Sequence, residues 1–533
     1  MSAEEQSAGD EALYAVGRTV MERVGIPKDH WEIAAQLEVL GFRDLDARQR
    51  FGCRDVFDAA ERIFAMYEGG RLQGVDDVDP AVPKRGEIVR FAGRYLDGLL
   101  FSLPMVLQGC TMLLWGYGLW GATDLDVRTG SAIALAFIAS YLATGGFSWA
   151  IVSRGLFYRY QAEGGMGRWS ALRMWSLSAR LLIALAIPAL FANAAYQLLP
   201  MDMAFTAAAY YVAFVLLWLN WSLIYLVEKT GLLLIALLAG TAAVAFVAGG
   251  LGLPIVAANL IGLAVADALT FAVAIFGFRN WAPSRAGGAT VNPPRLTVLV
   301  YATAPMFVYG FCYSAFVFVD RILAWTASRG REDFPPYPFW LNARYELGMD
   351  LALIVVVVLA GVVEYSSHRF TSDLIPHEKN VKSDAFEPFL ERFRQFYWRH
   401  SAIFAAWAVL AVVVARLASV LLRRYPDPRL QASLNSETAI RVFWIAAISY
   451  AIFMFGLRNI LILLSLSRTT LAIRAIASAL AVNVVVGFVA SRAIHYSGAV
   501  AGLLAGSLVL AVVAHRELRA VLNDLDYYYY AAY

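Results

Sequence analysis

The sequence predicts an all-α polytopic membrane protein, with about twelve transmembrane helices in two six-helix lobes and a small helical cytoplasmic unit at the N-terminus. Three observations lead there. The 533 residues are 60% hydrophobic and only 16% charged, where a soluble chain carries roughly 25% charged residues. Mean hydropathy is +0.59, so the apolar excess is global and too little polar surface remains to cover a soluble globule. The apolar residues also fall into twelve runs, divided by one polar, proline-containing break.

Residues 1–92 are soluble in composition. Trp31, Ile33, Leu37 and Leu40 form a rough amphipathic stripe, and Val56, Phe57, Ala60, Ile63, Phe64 and Tyr67 form a clearer one at helical spacing, ended by Gly69-Gly70. Two or three short helices are expected there, followed by a linker over 71–92. Glu4, Glu5, Asp10 and Glu11 at the start are unlike the basic region of a signal peptide, which favours an N-terminus in the cytoplasm.

The apolar runs are 97–120, 131–153, 177–198, 203–226, 231–250, 254–278, 297–324, 346–366, 401–422, 441–465, 469–490 and 496–515. At about 1.5 Å per residue each is long enough to span a bilayer. The first six give an N-terminal lobe over 93–278. The break at 279–296, with Pro283, Pro293 and Pro294, gives an inter-lobe linker, and 297–533 give a C-terminal lobe. With the N-terminus inside, Lys84, Arg85, Arg90 and Arg94 fall on the cytoplasmic side. So do Arg154, Arg159, Arg168 and Arg173, in keeping with the positive-inside rule. The clusters Arg329/Arg331 and Arg423/Arg424/Arg429 run against it. Phe389, Phe393, Phe396, Tyr397 and His400 share one helical face, which reads as an amphipathic helix in the cytoplasmic interface or one packed on another part of the protein.

Net charge is +3, which gives no reason to expect nucleic acid. Cys53, Cys110 and Cys312 match no zinc or redox spacing and read as buried small hydrophobes. His377-Glu378 lacks the second histidine of a zinc-protease motif, and neither Gly-rich stretch (164–167 and 249–252) follows a strand as a phosphate loop would. No catalytic constellation, metal site or cofactor site emerges, so an enzyme is the least expected class.

Ionisable groups inside apolar runs are costly and mark either structural pairs or a polar route. Asp267 lies mid-way along the sixth run. Asp320-Arg321 lies near the end of the seventh. Tyr345, Glu346 and Asp350 begin the eighth, the two acids at i, i+4 on one face with Arg344 close enough to pair. Arg458 lies in the tenth. Asp267, Asp320, Arg321, Tyr345, Glu346, Asp350 and Arg458 are the candidates for a substrate or ion path. The pair Glu346/Asp350 is suited to hold a coupling proton or cation. Arg416, Arg441 and Glu364, near run ends, read more simply as snorkelling or paired groups.

The run Tyr309-Gly310 … Val319-Asp320-Arg321-Ile322-Leu323-Ala324-Trp325, then Arg344-Tyr345-Glu346 … Ala360-Gly361, resembles the seventh and eighth helices of the PelG family. That family is the inner-membrane component of Pel exopolysaccharide export, within the multidrug/oligosaccharidyl-lipid/polysaccharide (MOP) flippase superfamily. Scattered positions echo it elsewhere: Thr144-Gly145-Gly146 with Arg154 and Tyr158-Arg159-Tyr160, Leu457-Arg458-Asn459 with Asn483, and the tail from Arg516 to Tyr527. The resemblance covers about 95–530; residues 1–90 and the loop from Arg329 to Trp340 depart from it. It implies a MATE-like pair of lobes around a central cavity and outward movement of a polysaccharide or lipid-linked saccharide by alternating access. It further implies membrane lipid as surroundings, and a cytoplasmic glycosyltransferase and other inner-membrane export subunits as partners. Two other readings stand beside it: a cation-coupled exporter of small molecules or drugs, and a non-transporting scaffold for a glycosyltransferase.

Overall fold

The structure, a computed structural model, describes residues 3–24, 27, 29–72, 87–123, 125–161, 163–281, 295–331, 337–371, 386–425 and 428–523. The prolines of the inter-lobe linker, much of the loop from Arg329 to Trp340, His377-Glu378 and the tail beyond Asn523 lie outside the described residues. Among the described residues regular structure is helical, apart from a lone bridge between Tyr117 and Ala122. The chain forms two compact units: Met1–Gly93 with Ser366–Ser401, and Arg94–Tyr365 with Ala402–Tyr533.

The N-terminal segment holds four helices rather than two or three: α1 (Ala3–Val24), α2 (His30–Val39), α3 (Asp44–Phe51) and α4 (Val56–Glu68). Local chemistry sets their ends. Asp29 and Asp55 cap α2 and α4 by accepting from the amides of Glu32 at 2.9 Å and Asp58 at 2.8 Å. Gly52, at φ +64°, closes α3 in the left-handed region that favours glycine. Leu13, Val20, Ile33, Leu37, Ala60 and Ile63 make the core. The stripe on α2 is only half buried, because Trp31 is exposed and stacks edge-on against Phe57.

Twelve longer helices follow: α5 (Glu87–Trp115), α6 (Val127–Tyr160), α7 (Gly164–Tyr196), α8 (Met201–Leu226), α9 (Thr230–Ala245), α10 (Ile255–Gly277), α11 (Leu296–Trp325), α12 (Ala343–Arg369), α13 (Phe386–Leu422), α15 (Glu437–Ser465), α16 (Thr469–Ala493) and α17 (Ala499–Asn523), with the short α14 (Pro428–Leu434) before α15. Eleven are long and apolar enough to cross a membrane. The twelfth, α5, bends by 49° between Phe91–Leu100 and Ser102–Trp115. Pro104 accounts for the bend, since it cannot donate to the Leu100 carbonyl one turn earlier. A tight turn at 251–254 leads into α10, with Gly252 at φ +69°.

The segment 386–400 is the first part of α13, which runs unbroken for 37 residues. Nothing between Arg399 and Ala402 breaks a helix, so the amphipathic part simply continues into the apolar part. Its buried face, Phe393, Tyr397 and His400, includes a ring contact from Phe393 to Phe370 at 5.6 Å. The cysteines differ from expectation: Cys53 is buried and Cys312 half-buried, but Cys110 is exposed.

Within the second unit, two hydrophobic cores follow the division of the chain. One is built on α6 to α10, around Tyr210, Phe214, Trp218 and Leu263. The other is built on α11, α12 and α15 to α17, around Phe316, Trp325, Met349 and Phe453. Helix α6 serves both, since Ile133 lies in the first and Ile138 in the second. The seam is close because it is lined by glycine. A Cβ on Gly310 would lie 2.6 Å from the Gly145 carbonyl, and one on Gly146 would lie 2.7 Å from the Phe307 ring. Two short glycine motifs from opposite halves of the sequence therefore meet here.

Candidate functional site

The α11–α12 pair carries a dense ionisable cluster in the membrane-spanning unit. On α11, Arg321 and Trp325 are one turn apart and share a face; on α12, Glu346 and Asp350 do the same. Facing each other, the four side chains interlock. Arg321 donates through Nη1 to Glu346 Oε2 and through Nη2 to Asp350 Oδ1 at 2.9 Å. The Trp325 indole N–H donates to the other Glu346 oxygen at 2.7 Å. Tyr345 donates its hydroxyl to Asp320 Oδ2 at 2.8 Å. The cation that bridges the two acids is thus Arg321 on the neighbouring helix.

Burial separates the members. Asp320, Arg321, Tyr345 and Glu346 are buried, while the Asp350 side chain is 61% exposed. Along α12 from Tyr345 to Arg369, Asp350 is the one exposed position. A buried ion needs its counter-charge and hydrogen bonds to offset lost hydration, and Glu346 has both. Asp320 has one oxygen bonded and the other buried without a hydrogen-bond partner. Tyr450 of α15 is also fully buried, and its hydroxyl lacks a hydrogen-bond partner.

Five of the seven candidates therefore form one cluster, and two lie apart. Asp267 is buried in the other core, on α10, where Asn220 of α8 donates to its backbone carbonyl at 3.2 Å and to Thr270 Oγ1 at 3.3 Å. The Trp175 indole completes the group by donating to Asn220 at 3.1 Å. One oxygen of the Asp267 carboxylate is buried without a hydrogen-bond partner. Arg458 is 1% exposed on α15, donating to Asn459 at 3.1 Å with its guanidinium 4.9 Å from the Phe455 ring. Arg441, read as a paired group, meets Glu437 one turn away at 2.6 Å.

Trp325 closes the run that carries the family resemblance but is not among the seven path candidates. The signal that would have found its role is its position four residues after Arg321. Asn220 and Trp175 gave no such signal, because their partner lies on another helix. Among the described residues no group of three or more His, Cys, Asp or Glu side chains is placed to hold a metal.

No family model matches the chain, and no curated protein matches it. Solved structures do. An outward-facing multidrug-resistance MATE family transporter of the MOP superfamily aligns at TM-score 0.55 and 13% identity, over 82% of this chain and 96% of that one. A MATE in the straight conformation gives TM-score 0.56 at 13% identity over the same shares. A MOP superfamily transporter from Pyrococcus furiosus, described as having a binding pocket of reversed polarity, gives 0.54 at 14% identity, again over 82% and 96%. At these identities the likeness establishes the fold: a MATE-like helical membrane fold.

Proposed function

We propose that this chain is a transporter that moves a polysaccharide or lipid-linked saccharide across the bacterial inner membrane by alternating access between its two six-helix sets. The observation that carries the reading is the Asp350–Arg321–Glu346 bridge. A carboxylate exposed on an otherwise covered apolar helix is stable against water and very costly against acyl chains. Asp350 accordingly faces an aqueous route, and Arg321 ties it to the buried Glu346. In such a route carboxylates accept hydrogen bonds from sugar hydroxyls, and Arg321, once released, offers a bidentate donor to a phosphate. Tyr345 and Asp320 support the bridge from behind. Asp267 and Arg458 serve the same route from separate positions in the two sets.

The MATE-like fold supports a second reading equally, a cation-coupled exporter of small molecules or drugs. In it the acid pair holds the coupling proton or cation whenever Arg321 swings away. Both readings place the N-terminal four-helix unit in the cytoplasm, and the first gives it a glycosyltransferase or another export subunit as partner.

Deleting the gene in its native host tests the proposal through two readouts, polymer at the cell surface and lipid-linked saccharide held in the membrane. Loss of surface polymer with accumulated lipid-linked saccharide supports flipping. Loss without accumulation supports export coupled to a synthase. If neither changes while resistance to cationic drugs falls, the saccharide reading is overturned in favour of the small-molecule one. A strain in which Asp350→Asn restores full export removes the bridge from the mechanism.

A further inference from the structure

A second polar site lies at the far end of α13. There a shallow pocket, open to the surface, is lined by Arg416, Ser419 and Arg423 of α13, Leu351 of α12, and Ala439 and Ile440 from the first turn of α15. Arg416 and Arg423 are seven residues apart and so fall on one helical row. Neither forms an ion pair with a described residue, and the Nε of Arg423 is buried without a hydrogen-bond partner. Among the described residues no carboxylate lines the pocket. Glu437, the acid of that first turn of α15, is engaged by Arg441 at 2.6 Å. The pocket therefore holds two guanidiniums beside a helix N-terminus, all favouring an anion.

The surroundings identify the anion's source. Beside the arginine row, α13 exposes an apolar stripe of Leu410, Val413, Leu417 and Leu421. That stripe leads along the helix to the level of the pocket. Arg416 also sits 5.8 Å from the ring of Trp444, which is partly exposed. Trp444 lies about two turns into α15, counted from Glu437, and tryptophan is enriched at the headgroup level of a bilayer. A cationic pocket at headgroup level with an apolar stripe running away from it matches an anionic phospholipid: phosphate in the pocket, acyl chain on the stripe.

We infer that Arg416 and Arg423 bind the headgroup phosphate of an anionic phospholipid, a site separate from the Arg321 bridge and independent of what the protein transports. The test uses the full chain, purified in a neutral detergent, with three probes: phosphatidylglycerol, phosphatidylcholine and inorganic phosphate. Thermal unfolding and lipid adducts by native mass spectrometry are followed together. Phosphatidylglycerol is expected to raise the Tm and remain as an adduct, whereas phosphatidylcholine and inorganic phosphate do neither. Arg416→Gln/Arg423→Gln, which removes both guanidiniums, should weaken phosphatidylglycerol binding by about tenfold or more, the loss of at least one charge-assisted hydrogen bond. Arg416→Lys/Arg423→Lys, which keeps both charges, should retain binding in part and guards against a folding defect in the glutamine variant. Equal stabilisation by phosphatidylcholine, or an undiminished phosphatidylglycerol adduct on the glutamine variant, overturns the inference. A Tm rise with inorganic phosphate as large as with phosphatidylglycerol overturns the lipid as occupant and leaves a free-anion site.

Discussion

The two helix sets bury their acids in different ways. In the second set Glu346 is locked by a guanidinium and an indole, and the bridge reaches an exposed carboxylate. In the first set Asp267 is buried among neutral donors, with Asn220 and Thr270 bonded to the backbone beside it and, among the described residues, no cation paired with its carboxylate. The difference is one of interdependence. Removing one member of a buried pair strands the other charge, whereas an isolated acid can be replaced by its amide with nothing stranded.

That contrast can be broken by mutation. Arg321→Met leaves Glu346 buried without its cation and should cost about 3–5 kcal/mol, read as a large fall in Tm for the detergent-purified protein. An unchanged Tm would mean the bridge is not formed in the folded protein. Next in size is the seam both sets share. Gly310→Ala brings a methyl group against the Gly145 carbonyl and the Trp149 side chain, and overpacking of that kind costs about 1–3 kcal/mol. A cysteine cross-link between α6 and α11 that forms as readily in Gly310→Ala as in the wild type would show the seam to be looser than described.

Smaller effects sharpen the comparison. Asp126 caps α6 by accepting from the Thr129 amide at 3.1 Å, and hydrogen bonding, from the Thr129 side chain first and the backbone amides after it, holds its carboxyl below the ordinary carboxylate range. Asp126→Ala should cost about 1 kcal/mol. Because the folded value is lowered, this contribution is present at neutral pH and fades as pH falls through the acid range. A wild-type to variant difference in Tm that persists undiminished at acid pH would contradict the cap. Asp350→Asn, at an exposed position, should change stability by less than about 1 kcal/mol yet depress transport, a split that separates a route-facing role from a structural one. Least of all, Asp267→Asn strands no partner charge and should leave the Tm close to that of the wild type; a loss as large as that of Arg321→Met would reveal a cation beside it.

What the sequence determined by itself is the solvent and the elements. Composition demanded a bilayer, and the apolar runs gave the helices to within a few residues at most ends, since a span must be apolar along its whole length. The i, i+4 spacing of Glu346 and Asp350 was legible too, because it is a property of one helix. Helix α1 escaped notice because its acidic beginning hides the apolar positions Leu13, Val20 and Met21. The unbroken α13 was missed because two different surfaces meet along one helix without a stop signal. Tertiary structure alone decided which charges meet. Arg321, from a different helix, bridges the acids, Gly145 finds Gly310, and Arg416 and Arg423 open onto a shared pocket. Periodicity fixes which face of a helix a residue occupies; the partner on that face is set by packing between segments far apart in the chain.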